Sequence, residues 1–238
     1  MVTKLLSDGG SNAKQVKASG GLEVRILYLT PGPDVCPWSV RNGCLATCLH
    51  FQGRYKMFPK IGLARERKHK LFREDRPEFM RLLHKELAAL VLKADRDGTQ
   101  AVARLDGTSD LGLALDLHPR YPRIMFYDYT KGLARVSRWS REREKGLAEN
   151  YHLTFSLGAG NMDEAREAIS LGANVAVAFN VGKGKPLPER FTIGRHDYKV
   201  IDGDVNDWRW RDPWPRVVGL RAKGTSAKLD TEGFFQEV

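Results

Sequence analysis

Residues 22–48 read LEVRILYLTPGPDVCPWSVRNGCLATC, and the order of features within them sets the expected fold. Residues 22–29 are aliphatic, β-branched and aromatic, the composition of a strand. Thr30-Pro31-Gly32-Pro33 stops that strand. A loop follows at once and carries Cys36, Cys44 and Cys48, the only cysteines in the chain. In parallel α/β folds the carboxyl ends of strands carry the site, so the loop is expected on that rim.

Outward from this stretch, strands alternate with helices. Strands are predicted at 101–105, 124–127, 151–156, 175–179 and 217–220, with weaker candidates at 191–193 and 200–201. Helices are predicted at 61–72 and around 138–149, and from Asn161 to Gly172. Another helix opens with Asp75 and Glu78 as a capping box around Pro77. Its apolar stripe is Phe79, Leu82, Leu83, Leu87, Leu90, Val91 and Ala94, and Asp97-Gly98 ends it. The alternation predicts an α/β fold with a mainly parallel sheet, a partial or complete TIM-like (β/α) barrel. One domain is expected over 22–224, with 1–21 as a flexible lead-in and 225–238 as a tail. Asp106, Ser109, Asp110, Asp128, Lys131, Ser156 and Asn180 fall just after strand ends and are candidate site residues on the same rim.

With 238 residues and 42% hydrophobic content, the chain can bury a core without staples, so a metal site would serve chemistry. Three clustered cysteines are an odd number, which argues against disulfides in a reducing compartment. The spacing Cys36-x7-Cys44-x3-Cys48 lacks the close pairs usual in structural zinc sites. The readings open at this point are a [4Fe–4S] cluster with one iron left free, zinc with His50 as a fourth ligand, or small apolar residues without metal. Asp202, Asp204 and Asp207 form a short acidic run that could hold Mg²⁺, or simply a turn.

Lys and Arg exceed Asp and Glu by 39 to 29, giving a net charge of +10. That balance attracts phosphate-bearing partners, either nucleic acid or a phosphorylated small molecule. The densest basic patch holds Arg65, Arg67, Lys68 and Lys70. Arg209 and Arg211 interleave with Trp208, Trp210 and Trp214, a pattern that stacks on bases or forms an edge strand packed on the core. No apolar run approaches the ~20 residues of a membrane span, and no signal-peptide core is present, so no membrane partner and a cytoplasmic location are expected.

Several motifs carry a resemblance. The Ser11-Asn12-Ala13-Lys14 opening, the cysteine loop, Asp106-Gly107-Thr108-Ser109-Asp110 and Tyr127-Asp128-Tyr129-Thr130-Lys131 are similar to those of the gene product 88 proteins of phages and plasmids. So are Asp202-Gly203-Asp204, Asp207, Asp212-Pro213 and Gly219-Leu220-Arg221-Ala222-Lys223-Gly224. A phage origin would place the protein in the host cytoplasm. The layout also resembles radical S-adenosylmethionine enzymes, in which a cluster loop follows the first strand of a partial barrel. That resemblance implies a [4Fe–4S] cluster on Cys36, Cys44 and Cys48, with S-adenosylmethionine at its open iron. Asp106, Gly107, Ser109, Ser156 and Asn180 would contact the cofactor. Asp106, Asp110, Asp128 and Lys131 would be catalytic, on a nucleotide or nucleic-acid substrate. The alternative expectation is a nucleic-acid-binding module without catalysis, braced by zinc or a cluster.

Overall fold

Runs such as VAVAF at Val175–Phe179 are buried almost throughout, as a parallel strand covered on both faces requires. The computed structural model describes residues 2–9, 21–51 and 58–238. In chain order the strands are β1 (Leu6–Asp8), β2 (Leu22–Leu27), β3 (Gln100–Arg104), β4 (Ile124–Thr130), β5 (Tyr151–Ser156), β6 (Val175–Phe179), β7 (Arg190–Ile193), β8 (His196–Asp202) and β9 (Val217–Arg221). The helices are α1 (Pro59–Glu74), α2 (Arg76–Arg96), α3 (Leu113–Leu117), α4 (Leu133–Glu144) and α5 (Met162–Ser170).

The strands form one 9-stranded sheet in the order β1-β2-β3-β4-β5-β6-β9-β8-β7. Neighbours from β2 through β6, β9 and β8 pair in parallel, and β1 and β7 add antiparallel edges. Among the described residues β1 and β7 do not pair with each other. The sheet is therefore open: the expected α/β fold with a mainly parallel sheet is present, and of the expected partial or complete TIM-like barrel no closed form is seen among the described residues.

Helices cover one face. Leu27, Ala103, Phe126, Phe155 and Val177 from the strands pack there with Phe79, Leu83, Leu87, Val136, Trp139 and Ala165 from the helices. The opposite face holds a smaller apolar cluster of Val24, Ile26, Val102 and Tyr127, on which Trp210 packs. The expected edge strand around that tryptophan is instead a 3₁₀ turn, Arg209–Arg211.

Of the expected capping box, one half forms. Asp75 Oδ1 accepts from the Glu78 N–H at 3.0 Å, while the Glu78 carboxylate turns to Arg81 at 2.6 and 2.7 Å. The helix expected around 138–149 starts earlier, directly after Gly132. Both segments expected to lie outside the domain contribute to the packed structure. Leu5 and Leu6 are buried, and β1 pairs with β2. At the other end Gln236 bridges to Phe179, with its N–H on the Ala178 carbonyl at 2.8 Å. No helix is long and apolar enough to cross a membrane, among the described residues.

Candidate functional site

Because β2 to β6 and β9 run in parallel, their carboxyl ends meet on one rim, and a cavity of about 390 Å³ opens there. Cys36, Cys44 and Cys48 all line it. So do Asp106, Gly107, Ser109 and Asp110 after β3, Lys131 after β4 and Ser156 at the end of β5. The strand-end rule thus brings together most of the residues expected from sequence.

The cysteine loop is tied to the rim at several points. The Asp110 N–H donates to the Val35 carbonyl at 2.7 Å, and the Ala159 N–H to the Asn42 carbonyl at 3.2 Å. Trp38 lies so close to Gly132 that a Cβ there would collide with the indole ring. The Arg135 guanidinium covers the same ring, 4.6 Å from its centroid. Gly107 is required by a similar close approach: a Cβ would sit 2.6 Å from the Leu27 carbonyl oxygen of β2. Its predicted cofactor contact is joined by this packing role.

The acidic residues hold the rim in shape. Asp106 accepts from Ser109 Oγ at 2.6 Å, the Leu111 N–H at 2.9 Å and the Gly112 N–H at 2.7 Å. Asp110 accepts from Thr130 Oγ1 and the Lys131 N–H, both at 2.8 Å, and pairs with Arg135. Burial, then the neighbouring Asp106, pushes Asp110 up to about 6. Asp128 is fully buried and does not line the cavity. Its Oδ1 accepts from the Asp106 N–H at 2.8 Å, and burial holds its carboxyl well above the usual range. Asp128 belongs to the helix-covered face and props the backbone of Asp106 rather than lining the cavity with the other expected residues.

Lys131 lies among the thiols. Its ammonium donates to Ser156 Oγ at 2.7 Å and to the Ser156 and Leu157 carbonyls at 3.2 Å. Burial pulls it below the ordinary lysine value, against the opposing pull of Cys44, Asp110, Cys36 and Cys48. The thiols are free and half-buried. Burial, then Asp110 and the other two thiols among its neighbours, pushes Cys36 far up. Burial likewise raises Cys44, and takes Cys48 to about 11 although the His50 N–H donates to its sulfur at 3.4 Å. The three sulfurs are close enough to feel one another's charge. Even so, no group of three or more His, Cys, Asp or Glu side chains is arranged to hold a single metal ion, among the described residues. The His50 ring, the expected fourth zinc ligand, instead has Nδ1 3.0 Å from Arg65 Nη1.

Other expected residues separate. Asn180 is exposed, outside the cavity, and donates to Glu237 Oε1 at 2.9 Å. Lys68 is buried with its ammonium on the Leu5 carbonyl, and Arg209 is buried against Asp212 at 2.9 Å. Neither can meet nucleic acid, because their charged heads are used inside the protein. Arg67 and Lys70 are exposed on α1, and exposed Arg211 covers the Trp208 ring at 4.5 Å. Arg65 lines the cavity instead, over the Tyr28 ring at 4.7 Å. The acidic run is divided: Asp202 and Asp204 pair with Arg221, while Asp207 pairs with Arg104. The Ser11–Lys14 motif lies outside the described residues.

Sequence reasoning passed over Arg104, Phe234 and Phe235, which also line the cavity. Arg104 had a signal, a lone charge closing the apolar run QAVAR. The phenylalanines are brought in by Asp230, whose carboxylate accepts from the Phe234 N–H at 3.0 Å and the Phe235 N–H at 2.7 Å.

Fold and site together define an α/β protein with a three-cysteine cavity at the carboxyl end of an open parallel sheet. The chain belongs to the family described as Gene product 88, whose model matches residues 4–237. No curated protein and no solved structure matches it.

Proposed function

We propose that the cavity holds a [4Fe–4S] cluster on Cys36, Cys44 and Cys48, in a radical S-adenosylmethionine-like enzyme acting on a small anionic substrate such as a nucleotide. The observation that carries this reading is the convergence of three thiols from one post-strand loop on a single cavity beside Lys131. A cluster spans more space than one ion and asks for thiolates set further apart. The cluster is preferred to zinc because the three thiols come from one loop and His50, the fourth ligand zinc would need, has its Nδ1 beside Arg65. When bound, the cluster would supply an open iron and one electron to the sulfonium cofactor.

The protein's own groups have definable tasks. The His50 N–H stabilises charge on Cys48. Lys131 offsets negative charge gathered by the thiolates and is held in place by Ser156 and Leu157. Asp106 fixes the loop that carries Ser109 and Asp110, and Gly107 lets that loop lie against β2. Phe234 and Phe235 add apolar surface to the cavity wall. Binding of nucleic acid without catalysis is less well supported, because Lys68 and Arg209 are buried and Arg65 turns into the cavity.

Anaerobic reconstitution tests the proposal. About four iron and four sulfide per chain are expected, with broad visible absorption. Both should be lost in Cys36→Ser, Cys44→Ser and Cys48→Ser. Zinc as the sole bound metal, or iron uptake indifferent to these substitutions, would overturn it.

A further inference from the structure

We infer that Arg104 is an oxyanion receptor on the cavity wall, taking the carboxylate or phosphate of the small molecule that occupies the cavity. The inference builds on the reading of this cavity as a ligand site, and it does not require a cluster.

Arg104 closes β3 and reaches the cavity from the sheet face opposite the helices. A guanidinium has five N–H donors in a planar fork. Among the described residues only Nη1 is matched, to Asp207 Oδ2 at 3.1 Å. Nε is buried with no acceptor, and among the described residues none is seen for Nη2. Buried donors are nearly always satisfied in native proteins, so an unmatched edge beside a cavity marks a place where a ligand or ordered water completes the set.

Two other cations of the cavity, Arg221 and Lys131, differ. Arg221 has Nε on the Lys185 carbonyl at 2.7 Å and Nη1 on Asp202 and Asp204 at 2.8 and 3.3 Å. Lys131 has three acceptors within 3.2 Å. Their charges add to the field, and their donors are more fully matched: Arg221 has two of its three nitrogens on acceptors, and the Lys131 ammonium has three acceptors.

Arg104 is also held in advance. Its plane lies over the Tyr129 ring, 4.6 Å from the centroid. Asp207 is fixed in turn by the Tyr127 and Tyr129 hydroxyls at 3.0 and 3.2 Å. A guanidinium anchored by one corner and one face, with Nη2 left unmatched beside the cavity, suits a charge-assisted hydrogen bond to an oxyanion. The Phe234 and Phe235 side chains form an apolar boundary to the same cavity, which favours a ligand with an anionic end and an apolar body.

Calorimetric titration with inorganic phosphate and with malonate, at fixed ionic strength, tests the receptor. Saturable binding of at least one anion is expected, and the tighter of the two identifies the preferred group. Arg104→Gln should weaken it about tenfold or more. Arg96→Gln, an exposed change outside the cavity, should leave it unaltered. In the unsubstituted protein the bound anion should also slow phenylglyoxal modification of Arg104 relative to Arg96, a readout independent of any variant's folding. Absence of saturable binding, equal affinity in Arg104→Gln, or no protection of Arg104 would overturn the inference. Iron and sulfide measured on the same samples report on the cluster separately, so either reading can fail while the other stands.

Discussion

Along β4 the side chains alternate between two environments. Phe126 enters the helix-covered core and is fully buried among apolar neighbours. Tyr127 and Tyr129 turn to the opposite face and direct their hydroxyls to Asp207. By register, Tyr127 stands beside His152 and Tyr129 beside Thr154, so that face continues as a polar one across β5. Among the described residues several buried atoms there have no partner, Arg104 Nε, His152 Nε2, Thr154 Oγ1 and Arg209 Nε, whereas on the helix side Asp128 Oδ2 and Tyr151 Oη are such atoms. One face of the sheet thus stabilises the fold, and the other keeps polar groups available near the cavity at some cost in desolvation.

The sharpest way to break this comparison is on the apolar side. Phe126→Ala should destabilise the protein by about 3–5 kcal/mol in urea unfolding, the range for emptying an aromatic core site. A loss as small as that of a surface change would mean the helix-covered face is not the stabilising one.

The next effect is a pH dependence on the polar side. Burial, then Arg209 and Arg143, holds His152 down at about 4, against an unperturbed 6.5. The unfolded chain therefore binds a proton at a pH where the folded chain does not. Stability tied to neutral His152 is complete above about 6.5 and is lost as pH falls toward 4. Relative to His152→Gln, the native protein should lose up to about 3 kcal/mol over that interval, at about 1.4 kcal/mol per unit. Parallel pH profiles for the two proteins would show that His152 is not held neutral.

The smallest effect is expected from Tyr129→Phe. It removes one hydroxyl from Asp207, which keeps Tyr127 and Arg104, so a loss of about 1 kcal/mol is expected in the same unfolding assay. A cost rivalling that of Phe126→Ala would erase the distinction between the faces.

Much of this was legible in the sequence. The strands at 151–156 and 175–179 lie where composition places them, because buried parallel strands are short unbroken apolar runs bounded by turns. The cysteines, Asp106, Ser109, Asp110, Lys131 and Ser156 meet on one rim because strand direction alone decides which loops cluster. Two expected residues lie away from the cavity for specific reasons. Asp128 shares parity with Phe126, and so its side chain belongs to the helix side although it stands near a strand end. Asn180 would face the rim, but its N–H is taken by the Gln236 carbonyl at 2.9 Å, and the C-terminal segment brings Phe234 and Phe235 to the cavity. Contacts made across such separations leave no local pattern. Strand alternation likewise could not divide a sheet buried on both sides into a structural and a chemical face, which is why Arg104 escaped notice.

The absence of a side chain at residue 132 is what lets the indole of Trp38 settle against the end of β4. The two positions form one socket. A larger residue at 132 would need a smaller one at 38, so any redesign that grafts this thiol-bearing loop onto another scaffold must carry both halves of the socket.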